Sequence, residues 1–238
     1  VLYLGGKGRL GPTIAKVILK ATSERGVYFE PFLGGGSAFK HIAPHFGSVH
    51  VGDVHEDLVL MWRAAAEGWT PPSVVSELEY QKIRREPASA LRGFIGFGCS
   101  FGGKWWGGYA RSRCNGDDYY ARHAYNSVNE IARLLPPHVE GTLRHRSFED
   151  WTPFITTSAV VYADPPYART TGYKAKFDSS VFWSVMRNWS DMGARVFVSE
   201  YEAPAGWSSI WSKEQRRKVS GGTGEMTKEH IFTRSRRG

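Results

Sequence analysis

The chain of 238 residues is long enough for one large α/β domain, or for a core domain that carries a smaller insert. With 41% hydrophobic and 23% charged residues, no run near the roughly 20 apolar residues of a membrane span, and no signal-peptide layout, it reads as a soluble, cytoplasmic protein with no membrane partner. A formal charge of +8 favours nucleic acid as a partner, and two cysteines, Cys99 and Cys114, are too few for a disulfide framework or a Cys-rich zinc site.

Taken in chain order, the elements alternate. Glycines at 8 and 11 lead to Pro12, which suits a first helical turn, and Ile14, Val17, Ile18 and Ala21 then recur at helical spacing. VYFE (27–30) reads as a short strand, followed by the turn PFLGGG and a helix from Ser37. VHVGD (49–53) reads as a second strand ending in an acid, and EDLVLMWRAAAEG as a helix closed by Gly68. Helical pieces around 73–83, 88–97 and 119–135 flank the Gly- and aromatic-rich CSFGGKWWGGYARSRCNGDD. The rhythm resumes with AVVYA (159–163), a continuous apolar run of the kind buried on both faces of a parallel sheet. A helix over 179–189, a strand over 195–201 and a closing antiparallel pair joined through SGGTGE complete the chain. The frame is α/β: a core formed by 1–69 and 148–238, interrupted by a helical insert over 70–147.

Two strand ends hold the chemistry. In EPFLGGGSAF (30–39) the glycines lie between a strand and a helix, a layout that lets backbone approach a ligand closely. Asp53 ends the next strand and suits ribose hydroxyls. Neither G-x-G-x-x-G nor a P-loop is present, so the ligand is nucleoside-like without a large phosphate demand. S-adenosylmethionine fits that description. His41 and His45 stand four apart, but no Glu lies between them as in the zinc-protease motif and Pro44 disturbs the helix, so no metal is read there.

The second strand end is ADPPY (163–167). Each proline fixes its φ near −65° and deletes a backbone N–H. Asp164 and nearby carbonyls then form a rigid cluster of acceptors with few competing donors. Such a cluster matches an exocyclic amino group, whose two N–H bonds it can hold while the nitrogen lone pair turns toward a methyl sulfonium. Tyr167 offers a ring face to a base flipped out of its duplex.

With YLGGKGRL (3–10), EPFLGGGSAF (30–39), GDVHEDL (52–58), ADPPY (163–167) and GGTGEMTKEHIF (221–232), the chain resembles the DNA adenine-N6 methyltransferases of the Dam type along essentially its whole length. The resemblance implies a Rossmann-like methyltransferase sheet with a helical target-recognition insert. It implies S-adenosylmethionine as cofactor and S-adenosylhomocysteine as product. Tyr3, Gly5, Gly6 and Lys7 would line the cofactor pocket, Tyr3 standing where the family has tryptophan. Glu30, Phe32 and Gly34 would wall the methionine end, and Asp53 would hold the ribose. Asp164 and the Pro165 carbonyl, with Pro166, would grip the target amine, and Tyr167 would stack on the base.

The insert departs from the family, with GCSFGGKWWGGYARSR (98–113) where a different recognition run stands, so no target sequence is carried over. Two readings of this stretch stand side by side. In one, Lys104, Arg111 and Arg113 meet DNA phosphates while Trp105, Trp106 and Tyr109 wedge or stack. In the other, the aromatics pin the insert to the core. Arg216, Arg217, Lys218 and the Arg-rich tail 234–237 are phosphate contacts or solvated charge. The expected activity is methyl transfer to N6 of adenine in DNA by a monomer. The alternatives are amino methylation of cytosine N4 or of an RNA base, and a DNA-binding module with an inactive core. Asp164 argues against cytosine N4, where Ser is more usual, and the intact glycine turn, Asp53 and ADPPY argue against loss of activity.

Overall fold

Seven strands form one sheet in the order β3-β2-β1-β4-β5-β7-β6. The structure is a computed structural model and describes residues 7–112, 119–135, 142–166, 177–217 and 225–234. β1 (Val27–Glu30), β2 (Ser48–Asp53), β3 (Leu143–His145), β4 (Val160–Ala163) and β5 (Arg195–Glu200) run parallel. β6 (Ser208–Arg217) and β7 (Glu225–Thr233) form an antiparallel hairpin, with β7 inserted between β5 and β6. This is the Rossmann-like sheet that the strand–helix alternation and the family resemblance lead one to expect, closed by the antiparallel pair expected at its edge.

Both faces of the sheet are covered. Alternate residues of each strand enter different cores because side chains on a strand have a period of two. Tyr28 and Tyr162 pack with Ile14 and Ile18 of α1 (Gly11–Ala21), Trp62 of α3 (Glu56–Ala66), and Val128 and Ile131 of α6 (Tyr119–Ala132). Their neighbours Phe29 and Val161 pack on the other side with Trp151 and with Met186 and Trp189 of α7 (Ser179–Asp191). Asp178 caps α7 by accepting from the Ser180 and Val181 amides at 2.8 and 3.2 Å. No described helix is long and apolar enough to cross a membrane.

Three expectations change in detail. The helix from Ser37 is a single turn, α2 (Phe39–Ile42), because Pro44 passes the chain into a 3₁₀ turn before β2. The insert ends earlier than residue 147, since Leu143, Arg144 and His145 pair with Val51, Gly52 and Asp53 as edge strand β3. Three residues with one buried side chain leave no readable alternation. Among the described residues the insert shares the core of the sheet: Tyr80 of α4 (Glu77–Ile83) and Phe94, after α5 (Ala90–Gly93), belong to the same cluster as Tyr28.

The start of α1 packs directly on the glycine turn. A Cβ at Gly11 would lie 2.3 Å from the Ser37 carbonyl oxygen and 3.0 Å from the His41 ring. Backbone cannot yield as a flexible side-chain tip does. Gly11→Val is therefore expected to destabilise the fold by about 1–3 kcal/mol, read as a lowered midpoint in thermal denaturation.

Candidate active site

The parallel strands deliver carboxylates to one edge. Glu30 ends β1, Asp53 ends β2, Asp164 follows β4 and Glu200 ends β5. The strand order reverses between β1 and β4, and ligands of open α/β sheets bind in the crevice at such a switch point. Glu30 and Asp164 flank it.

The glycine turn is held at both of its polar groups. The Gly34 N–H donates to Asp53 Oδ2 at 3.0 Å, and the Trp62 indole N–H donates to the Gly34 carbonyl at 3.0 Å. Asp53 Oδ1 accepts from the His55 N–H at 2.9 Å. Gly34 has φ +50° and Gly36 φ +68°, values that favour glycine. Asp53 thus braces the turn. Burial pushes its carboxyl up to about 6, partly opposed by the backbone N–H donors of His55 and Gly34.

Beyond the switch point lies a buried charge cluster. Lys7 Nζ lies 3.0 Å from Asp164 Oδ1 and 3.5 Å from Glu229 Oε1. Lys7 is 6% exposed and Glu229 3%. Burial by itself lowers the Lys7 pKa, but the charges of Asp164 and Glu229 outweigh it and hold the ammonium above its usual value. Glu30 accepts from the Tyr28 hydroxyl at 2.5 Å. Burial pushes the Glu30 carboxyl well above the usual carboxylate range, the Tyr28 hydrogen bond works against this, and the charge on Asp164 adds to it. Glu200 is raised to about 8, first by burial, with Asp164 and Glu229 contributing.

A cavity of about 180 Å³ connects the two strand ends. Gly34 and Asp53 line one part of it, Asp164 and Pro166 another, with Phe32 and Phe148 as apolar wall. Phe32 stacks on Phe148 with ring centroids 5.4 Å apart. Among the described residues, the charged side chains of the lining are four carboxylates, Asp53, Glu149, Asp164 and Asp178, and one guanidinium, Arg146. Such a lining repels phosphate and suits a cationic ligand.

The structure thus brings Phe32, Gly34, Asp53, Asp164 and Pro166 to one cavity, with Lys7 and Glu30 at the Asp164 end. Pro165 is buried beside them. Tyr3, Gly5, Gly6, Tyr167, Arg113, Cys114, Lys218 and the tail from 235 lie outside the described residues. Sequence reasoning did not assign roles to Trp62, Phe148 or Glu229. Trp62 looked like one more apolar position of its helix, and Phe148 follows a strand too short to read.

In the insert Trp105, Trp106 and Tyr109 are half-buried, whereas Phe101 is 70% exposed. Trp105 is half-buried between His55 and Phe97, its ring centroid 4.2 and 4.6 Å from theirs. It lies so close over Gly96 that a Cβ there would meet the ring at 2.3 Å. Trp106 packs edge-on to Tyr80 at 4.8 Å, and its backbone is left-handed at φ 47°, a conformation retained only where the surroundings enforce it. Tyr109 donates its hydroxyl to the Val75 carbonyl at 2.7 Å. The contacts of Trp105, Trp106 and Tyr109 are of the kind the pinning reading describes, and all three rings remain half-buried. Lys104 is exposed. Arg111 is exposed too but pairs with Glu77. Arg234 of the tail is tied to Asp191 at 2.8 Å.

Residues 3–90 match the model of a family described as D12 class N6 adenine-specific DNA methyltransferase. No curated protein matches the chain. Among solved structures, TrmN from Thermus thermophilus is 10% identical, covers 94% of this chain and superposes with a TM-score of 0.36. The match takes in 49% of TrmN, so this chain spans about half its length. The putative methyltransferase yhhF from Escherichia coli is 12% identical, with 98% of this chain and 88% of that one covered and a TM-score of 0.38.

Proposed function

We propose that the chain transfers the methyl group of S-adenosylmethionine to the N6 amino group of adenine in DNA. One observation supports the reading above the others. The acid–proline–proline stretch and the braced glycine turn line the same cavity, at the switch point of a Rossmann-like sheet. The family model that matches residues 3–90 agrees with it.

The residues present fit the cofactor. Asp53 and the Gly34 turn suit its ribose, and the four carboxylates against one guanidinium among the described lining residues suit its cationic sulfur rather than a phosphate. When bound, S-adenosylmethionine supplies an electrophilic methyl group whose carbon–sulfur bond electrons leave with the sulfur. Asp164 and the Pro165 carbonyl accept the two N–H bonds of the adenine amine, which frees the nitrogen lone pair from the ring and aims it at the methyl carbon. The nitrogen becomes cationic as the bond forms, and the nearby Asp164 carboxylate stabilises that charge. The surplus N–H proton is then lost to solvent. Lys7, with its ammonium 3.0 Å from Asp164 Oδ1, holds that carboxylate in place. Lys104, exposed on the insert, suits a DNA phosphate.

The test incubates the protein with methyl-labelled cofactor and, separately, duplex DNA, single-stranded DNA and RNA, and identifies the product base. N6-methyladenine in DNA is the expected product. Methylcytosine alone, label only in RNA, or no transfer overturns the reading.

The Asp53 carboxyl adds a pH signature. Ribose hydroxyls donate to the carboxylate, so the ionised form binds the cofactor better. Since Asp53 titrates at about 6, affinity is expected to rise with pH up to that value and level off above it. Calorimetric titration with the non-reacting product S-adenosylhomocysteine from roughly pH 5 to 8 measures this. Asp53→Asn is expected to bind more weakly and to lose the rise.

A further inference from the structure

Lys7 and Glu229 stand near opposite ends of the chain, yet they meet in the interior. β7 places Glu229 on the sheet face where Ile231, two residues on, joins the Tyr28 and Tyr162 core. There Glu229 shares the Lys7 ammonium with Asp164, one oxygen at 3.5 Å and the other at 3.0 Å. We propose that Glu229 is a positioning residue: it holds the Lys7 ammonium against Asp164, and through Lys7 it sets the orientation and charge of the carboxylate that grips the target amine. This role rests on the methyl-transfer reading above and extends it to a residue on the closing hairpin.

A lysine side chain has four rotatable bonds, and one carboxylate fixes only one direction of its ammonium. Two carboxylates at these distances restrain it from two sides, inside a region with little water to compete. Their charges also settle the sum: one ammonium between two carboxylates leaves a net −1, complementary to the positive charge that builds on the amine. Replacing Glu229 by a neutral group makes the triad neutral and removes the second of the two carboxylates that restrain Lys7. The catalytic carboxylate is then both more neutralised and less firmly oriented. Among the described residues, the other titratable groups facing Lys7 and Asp164 are Tyr201, Glu200, Glu30 and Tyr162.

The experiment is a double-mutant cycle on the full chain, with methyl transfer to adenine-containing duplex DNA as readout. Glu229→Gln is expected to lower kcat about 10-fold while the affinity for S-adenosylhomocysteine changes by less than about twofold. Because Glu229 acts through Lys7, the same change in a Lys7→Met background is expected to cost less than about twofold in kcat. Glu229→Asp, which keeps the charge, is expected to recover part of the rate. An equal loss in both backgrounds, or an unchanged kcat in Glu229→Gln alone, overturns the proposal. A second readout needs no turnover: in protein labelled with 15N at lysine side chains, the Lys7 ammonium is expected to titrate at lower pH in Glu229→Gln than in wild type. Identical titrations overturn the link between Glu229 and Lys7. Wild-type protein that methylates no adenine overturns the functional reading and the role built on it, whereas the 15N titration decides the contact separately.

Discussion

Asp164→Ala is expected to lower the single-turnover rate of methyl transfer by about 10²–10³-fold, the range for removing one preorganised group that meets charge developing in a transition state. The amine of adenine is a poor nucleophile while its lone pair is delocalised, and Asp164 is the charged acceptor that the fold places at the cavity. Cofactor affinity is expected to change far less, because Asp53 and the Gly34 turn lie at the other strand end and remain intact. Asp164→Asn separates geometry from charge. It keeps an acceptor oxygen of the same reach but removes the negative charge that faces Lys7 at 3.0 Å. The expected order of rates is therefore wild type, then Asn, then Ala. Rapid-quench measurement with labelled cofactor, together with calorimetric titration of S-adenosylhomocysteine, checks both halves. Full-rate transfer by Asp164→Ala would remove Asp164 from the mechanism.

What the sequence makes legible is local chemistry at strand ends. The glycine turn, Asp53 and ADPPY announce themselves because each is a short run whose residue types have few other uses together. The meeting of Gly34, Asp53, Asp164 and Pro166 in one cavity follows from the parallel order of β1, β2 and β4, which the strand–helix alternation already implies. Glu229 was hidden for the opposite reason. Its partner Lys7 lies at the other end of the chain, and nothing local separates a buried Glu from the exposed ones on an edge hairpin. β3 was hidden by brevity, and with it Phe148 in the cavity wall. In the insert, aromatic and glycine-rich composition suits both a DNA wedge and a packed plug, since each uses flat rings close to backbone. Only burial tells them apart.

That distinction yields the second large expected effect. Trp105→Ala removes a ring that fills the space between His55, Phe97 and Gly96. Full Trp truncation in a core costs about 3–5 kcal/mol, and a half-buried ring loses less, so about 2–3 kcal/mol is expected here. For a chain of this size that corresponds to roughly 4–12 °C in the melting midpoint. His55 donates its backbone N–H to Asp53, so loosening its ring is also expected to weaken cofactor binding. Lys104→Ala, one residue away and exposed, is expected to leave the midpoint in place. Its expected effect is on DNA instead: weaker binding to all sequences alike, with the slope of log affinity against log salt reduced by about one. Thermal denaturation and salt-dependent DNA titration of the two variants test the assignment. If Trp105→Ala melts like wild type and loses only DNA affinity, Trp105 meets nucleic acid and the packing account of the insert fails. If Lys104→Ala leaves the salt slope unchanged, Lys104 is not a phosphate contact.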